Sequence, residues 1–406
     1  MIIHQPEISL ENGEVLVSAR VETRFRDPYL PDRLWFRFPE AYRDYISGHS
    51  DGFLSSMLLI AMHLGEDLEV RGTVSPRLAH NLERIQEAYC QMHPTLLKRV
   101  EVHYQQLEAL SPDVGGRAVV AAFSGGIDSS YTLWSHLPAN EPDPAARVTH
   151  GLFVHGFDIF LHQARQFQDL YPKYADLFAR QGLALLEAKT NVYSFSQFRL
   201  NWSLAHDPIL VGIGMVLDRL VGRFYKPASH EYRNGRVTKP TYHSFHYFST
   251  ETLEAVLDHP ELSRFKKLES LSEFPLAQEG LRVCMAIEKT PDGRACYRCE
   301  KCLNTLVYLE LLGVREKYKS FPHPLTMRDY LRFCWGSQGL KLYYSELPAN
   351  LLKRKRYDLY LVYMLMIFPS EAKRFLKRKI ITWLPARYQI RLKRKIFANQ
   401  LPPVDG

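Results

Sequence analysis

Three regimes of hydrophobic patterning succeed one another along the chain. In the first hundred or so residues apolar and polar positions alternate, over Gly13–Val21 and Arg33–Phe38, which predicts half-buried strands. Between and after them, Phe53–His63 reads as an apolar helix, and Ser75-Pro76 opens a longer one through Asn81, Ile85 and Tyr89, with proline at the first helical position. A turn-forming stretch, residues 111–116, then marks a change. Ala118–Phe123 is apolar without alternation, the signature of a strand covered on both faces, and Val148–Val154 and Leu183–Ala188 repeat it, with Arg223–Tyr225 as a fourth candidate. Helical periodicity separates them, over Phe160–Gln181 and Asp207–Val221, so this part predicts a doubly wound parallel sheet with helices on both faces. From Phe321 onward strand signals fade and helices dominate.

These regimes divide the chain into an N-terminal α+β module (1–113), an α/β domain (114–322) with a cysteine-bearing segment (281–305), and a helical module (323–406). Composition adds little: 46% hydrophobic and 24% charged residues over 406 positions describe an ordinary globular chain. The longest apolar run, Leu359–Phe368, is too short to span a bilayer, and the N-terminus lacks the basic and apolar regions of a secretory signal. Charge is uneven. Residues 351–406 carry fourteen Lys or Arg against three acids, +11, so the remaining 350 positions sum to 8 − 11 = −3. The basic clusters (Lys353–Arg356, Lys373-Arg374, Lys377–Lys379, Arg391–Lys395) are interleaved with aromatics, which suits an RNA surface, an acidic protein partner, an interfacial helix or a solvated helical face.

The first chemistry lies in Ser124-Gly125-Gly126-Ile127-Asp128-Ser129, which joins a buried strand to a helix beginning near Ser129. Two glycines let the backbone turn close to an anion, and amides at the helix N-terminus point at it. Ser124 and Ser129 can donate to phosphate oxygens, and Asp128 is expected to hold the Mg²⁺ that neutralises them. The string is neither a Walker A loop nor a dinucleotide fingerprint. The second chemistry is Cys284, Cys296, Cys299 and Cys302, a C-x11-C-x2-C-x2-C pattern that suits a structural Zn²⁺, with an iron–sulfur cluster or a redox pair as alternatives. Clustered thiols point to a reducing cytoplasm. Cys90 and Cys334 read as buried small apolar residues.

Ser-Gly-Gly-x-Asp-Ser after a first strand resembles the signature of the PP-loop ATP pyrophosphatases. That resemblance implies a PP-loop (HUP-like) doubly wound fold and cleavage of ATP between its α- and β-phosphates, with the loop holding pyrophosphate. The four cysteines narrow it: the chain is similar to 7-cyano-7-deazaguanine synthase and its diverged relatives, which implies a structural zinc and ATP-dependent C–N ligation of a 7-carboxy-7-deazaguanine-like acid through an adenylate. By the same resemblance, Val154, His155 and Gly156 fall near the adenine, Asp158 serves nucleotide or metal, and Asn191, Trp202 and His206 sit near the substrate. Arg264 and Lys267, which would share a helix face, match a basic motif of a larger branch and would stabilise charge at phosphorus. The resemblance spans roughly residues 117–310; the longer first cysteine gap and Leu303-Asn304 after Cys302 depart from it. The expectation is an adenylating ligase or amidotransferase acting on a small carboxylate, with ammonia or an amine, even one on a protein, as acceptor. A tRNA-modifying enzyme using the basic tail, and an ATP-binding sensor without turnover, remain open, as does oligomerisation.

Overall fold

The computed structural model of the chain describes residues 1–24, 30–111, 117–196, 200–232, 239–284, 295–336 and 346–365. Residues 1–324 make one compact unit, and a second begins at Leu325. The first is an α/β assembly around an eleven-stranded mixed sheet. Its strands are β1 (Ile2–Ile3), β2 (Glu7–Glu11), β3 (Glu14–Glu22), β4 (Arg33–Pro39), β5 (Leu68–Val74), β6 (Val102–Leu107), β7 (Ala118–Ala122), β8 (His150–His155), β9 (Ala184–Thr190), β10 (Val221–Pro227) and β11 (Glu254–Asp258). The helices are α1 (Asp51–Leu64), α2 (Pro76–Met92), α3 (Ile127–Ser135), α4 (Ala164–Ala179), α5 (Val192–Ser196), α6 (Trp202–Val216), α7 (Thr241–Ser244), α8 (Arg264–Ser270), α9 (Pro275–Gly280) and α10 (Glu300–Leu312).

The sheet order is β11-β10-β7-β8-β9-β4-β3-β1-β5-β6, with β2 on β3. From β11 to β9 every pairing is parallel. Chain order runs outward from β7 through β8 to β9, then returns to the other side of β7 for β10 and β11. Such a reversal opens a crevice at the carboxyl ends of the strands where it occurs, here between β7 and β10.

Both faces of this parallel part are covered, which is why its strands show no alternation. Ala118, Val120 and Ala122 of β7, with Leu152 and Val154 of β8, join the cluster built with α1 and α6. On the other face, the Phe123 ring lies 5.0 Å from Tyr174 and 4.8 Å from Phe178, and Phe153 lies 5.3 Å from Tyr174, so α4 covers that side.

The expected boundary at 113 is not a structural one. β4 pairs antiparallel with β9 through Phe36↔Thr190 and Arg37↔Lys189, so the N-terminal strands extend the sheet instead of forming a module of their own. Asn191 closes this joint: its Oδ1 accepts from the Trp35 amide at 3.0 Å and its Nδ2 donates to the Arg33 carbonyl at 2.8 Å. α1 crosses α6 where two glycines meet. A Cβ on Gly212 would lie 2.8 Å from the Gly52 carbonyl oxygen, so neither helix has room for a side chain there.

In the second unit, α11 (Met327–Gly336) and α12 (Leu347–Lys353) precede a helical stretch over 357–365, and the Tyr330 hydroxyl donates to the Leu359 carbonyl at 3.0 Å. The basic clusters from Lys373 onward lie outside the described residues. Among the described residues no helix is long and apolar enough to cross a membrane.

Candidate functional site

The loop from Ser124 to Ser129 sits at the crevice between β7 and β10. Gly125 takes φ +78°, a left-handed backbone that glycine accepts without penalty, and a Cβ there would overlap the Tyr174 hydroxyl. Gly126 is the N-cap of α3, which begins at Ile127, two residues before the expected Ser129. The Ser129 hydroxyl donates to the Gly126 carbonyl at 3.1 Å, and the Ser124 amide donates to the Ser129 oxygen at 3.3 Å, which ties the two ends of the loop together. The first amides of α3 therefore open on the crevice, a natural seat for an anion.

Arg282, which no sequence signal singles out, clamps this loop from outside. Its Nε and Nη2 donate to the Ser124 carbonyl at 3.2 and 2.9 Å, and its amide donates to the Gly125 carbonyl at 2.7 Å.

Asp128 is held between two cations. Arg264 grips its Oδ2 from Nε at 3.0 Å and Nη2 at 2.8 Å, and Lys267 Nζ stands 3.7 Å from Oδ1. Burial pushes the Asp128 carboxyl up, but the Arg264 and Lys267 charges outweigh it and hold it at about 2. The carboxylate expected to hold Mg²⁺ thus orients two cations. The Ser263 hydroxyl caps α8 by accepting from the Lys266 amide at 3.3 Å, and α8 brings Arg264 and Lys267 to the carboxylate together. Lys267, buried, also donates to the Ala228 carbonyl at 2.6 Å, and its burial lowers its pKa.

The crevice holds two adjoining cavities of about 290 and 230 Å³ that share Ser124, Asp128, Ser129, Trp202, Arg282 and Lys301. The larger is walled by rings: Phe157 and Tyr193 each stand edge-on to Trp202 at 4.9 Å, and Phe160 lies 5.0 Å from Tyr193. Cys284, Lys301, Asn304 and Thr305 also line it. The smaller reaches the ends of β7 and β8 at Ala122 and Val154, and Lys226 of β10. Asp158 and Trp202 line both, and His206 lines the smaller. Both nitrogens of His206 are engaged, Nε2 with Asp207 Oδ1 at 2.8 Å and Nδ1 with the Trp202 carbonyl at 3.0 Å. Asp207, wholly buried, also meets Lys226 at 3.2 Å and Thr241 at 2.7 Å.

Gly125 and Lys267 line neither cavity, and three residues expected beside the adenine or the substrate also lie outside them. Asn191 spends its amide on β4. His155 turns its Nε2 to the Phe160 carbonyl at 2.9 Å and stacks on Phe167, its pKa lowered by burial. Gly156, at φ +106°, is required because a Cβ would overlap the Thr190 carbonyl, an approach of one segment of the chain to another.

The four cysteines converge, with all four sulfurs within 4.8 Å of one another, an arrangement that could bind a zinc ion. The Cys299 amide donates to Cys296 Sγ at 3.3 Å and the Cys302 amide to Cys299 Sγ at 3.4 Å, bonds that favour thiolate sulfur. Cys302, pressed against Cys299 and buried, has its thiol pushed far above the ordinary cysteine range, a crowding that a bound cation would relieve. Cys299 is the N-cap of α10, whose residues Lys301, Asn304 and Thr305 form one wall of the larger cavity, so the cluster anchors that wall. Cys334 is buried and Cys90 half-buried, apart from the cluster. Comparisons with protein-family models, with curated proteins and with solved structures each found no match.

Proposed function

We propose that the chain is an ATP-dependent ligase or amidotransferase of the PP-loop type, which adenylates a 7-carboxy-7-deazaguanine-like acid and passes it to ammonia or an amine. The observation that carries this reading is the glycine loop at the open end of β7, amides outward, beside a cleft with clustered cations and a ring-lined wall. In this reading the loop and the start of α3 hold the pyrophosphate end of ATP, and the smaller cavity at the ends of β7 and β8 takes the adenosine. The planar acid lies against Phe157, Tyr193 and Trp202. A carboxylate oxygen attacks the α-phosphorus, the bond to the bridging α–β oxygen breaks, and pyrophosphate leaves. The nitrogen then attacks the acyl carbon, AMP departs with the C–O bond electrons, and a proton passes to solvent.

Arg264 and Lys267, set by Asp128, stabilise charge at phosphorus, and Arg282 keeps the loop in shape. Magnesium entering with ATP would neutralise phosphate charge, and such sites need only one or two protein carboxylates, for which Asp158 and Asp128 are at hand. The cysteines and the ion they suit would hold the α10 wall in place.

The test is pyrophosphate release from Mg·ATP by the intact protein and by Asp128→Ala, with 7-carboxy-7-deazaguanine and ammonium each present or absent. Release is expected only with the acid, and to fall on the order of 100-fold in the variant. ATP binding without pyrophosphate under every condition would sink the ligase reading in favour of a sensor.

A further inference from the structure

We propose that His136, Asp258 and His259 form a second metal site, for a divalent transition ion of the zinc class, at the end of α3 remote from the phosphate loop. His136 caps the C-terminus of α3, Asp258 ends β11, and His259 follows it. None of the three lines the cleft, and the nine residues of α3 place about 13 Å of helix between them and the loop.

One donor atom from each residue lies within 4.8 Å of the others. His136 Nε2 is 3.0 Å and His259 Nε2 3.8 Å from the same oxygen, Asp258 Oδ1. Ligands bonded at zinc distances in a tetrahedron stand about 3.3 Å apart, so these separations bracket the required one. Ser135 Oγ is hydrogen-bonded to His259 Nε2 at 3.0 Å and would give up that nitrogen to an ion.

What distinguishes the cluster from an ordinary hydrogen-bond network is the arrangement behind it. Glu261 Oε1 is hydrogen-bonded to His259 Nδ1 at 2.8 Å, the carboxylate–imidazole pairing that turns the far nitrogen toward a metal, and Glu141 Oε2 lies 3.2 Å from His136 Nδ1. Thr132 donates to Asp258 Oδ2 at 2.6 Å, leaving Oδ1 to the cluster. A cation between the two Nε2 atoms and Asp258 Oδ1 would meet two imidazole nitrogens and one carboxylate oxygen, a donor set that suits zinc. His136 is fixed by stacking on Tyr225 at 4.1 Å, and His259 holds a left-handed backbone, φ +48°, of the kind that structures sustain at functional positions. His136 and Asp258 are buried, and His259 at 25% exposure leaves an entry path.

The experiment is zinc content per full-length chain after gel filtration, in the parent, His136→Gln and His259→Asn, asparagine being chosen because it tolerates positive φ. Each variant is expected to lose one zinc per chain. Cobalt substitution separates this site from the cysteines, because sulfur-to-cobalt absorption should persist unchanged in both variants. Equal zinc in parent and variants overturns the proposal. Should either variant unfold, Glu261→Gln keeps every ligand and is expected to weaken zinc binding roughly 10- to 100-fold; unchanged affinity there overturns the proposal equally.

Discussion

Asp128 carries two opposed influences, burial and paired cations, and the cations prevail. Its carboxyl sits at about 2 against an ordinary 3.8, which corresponds to stability on the order of 2 kcal/mol. Because the folded value lies below the unfolded one, that stability is complete above about pH 4 and is lost as pH falls from 3.8 through about 2. Arg264→Met removes the main partner and is expected to cost about 1–2 kcal/mol at pH 7. The deficit should narrow as pH falls toward 2, read from urea midpoints, and a deficit independent of pH would show that Asp128 is not the linked group. The Ser124–Ser129 string and the three-residue spacing of Arg264 and Lys267 were legible because both are local patterns. Arg282 was not, being a single arginine 158 positions from the carbonyl it holds. Asn191 and Gly156 read as site residues from their type and position alone, and only the approach of β4 and of Thr190 reveals that the fold itself employs them.

At the scale of elements, the contact between α1 and α6 depends on the absence of side chains at Gly52 and Gly212. The Ser55 hydroxyl reinforces it by donating to the Pro208 carbonyl at 2.7 Å. Gly212→Val is expected to separate the helices at a cost of about 3 kcal/mol, measured by chemical denaturation, and a loss below 0.5 kcal/mol would mean that the crossing has slack. The buried strand β7 announced itself as an unbroken apolar run and β8 and β9 as largely apolar ones, and α1 and α2 were equally plain. β11 escaped notice because Glu254 and Asp258 bound only three apolar residues, and β5 because Gly72 stands at an inward position of its alternation.

For the whole molecule, the turn residues at 111–116 suggested a domain boundary, yet the chain on either side enters one sheet. A local turn signal carries no information about which strands meet 150 residues apart. A fragment beginning at 117 would expose the β9 edge and the apolar face of α6. It is expected to be insoluble, whereas residues 1–324 within the intact protein unfold in one transition; a soluble fragment with its own cooperative urea transition would contradict this.

The β4–β9 joint also orders events in time. Phe36 emerges from the ribosome about 150 residues before Thr190, its partner. Until β9 and then α6 have been synthesised, the first strands lack the edge they pair with and α1 lacks the helix it packs on. The part of the chain made first is therefore completed only after α6, and it is during that interval, not in the finished protein, that its apolar residues most need a chaperone.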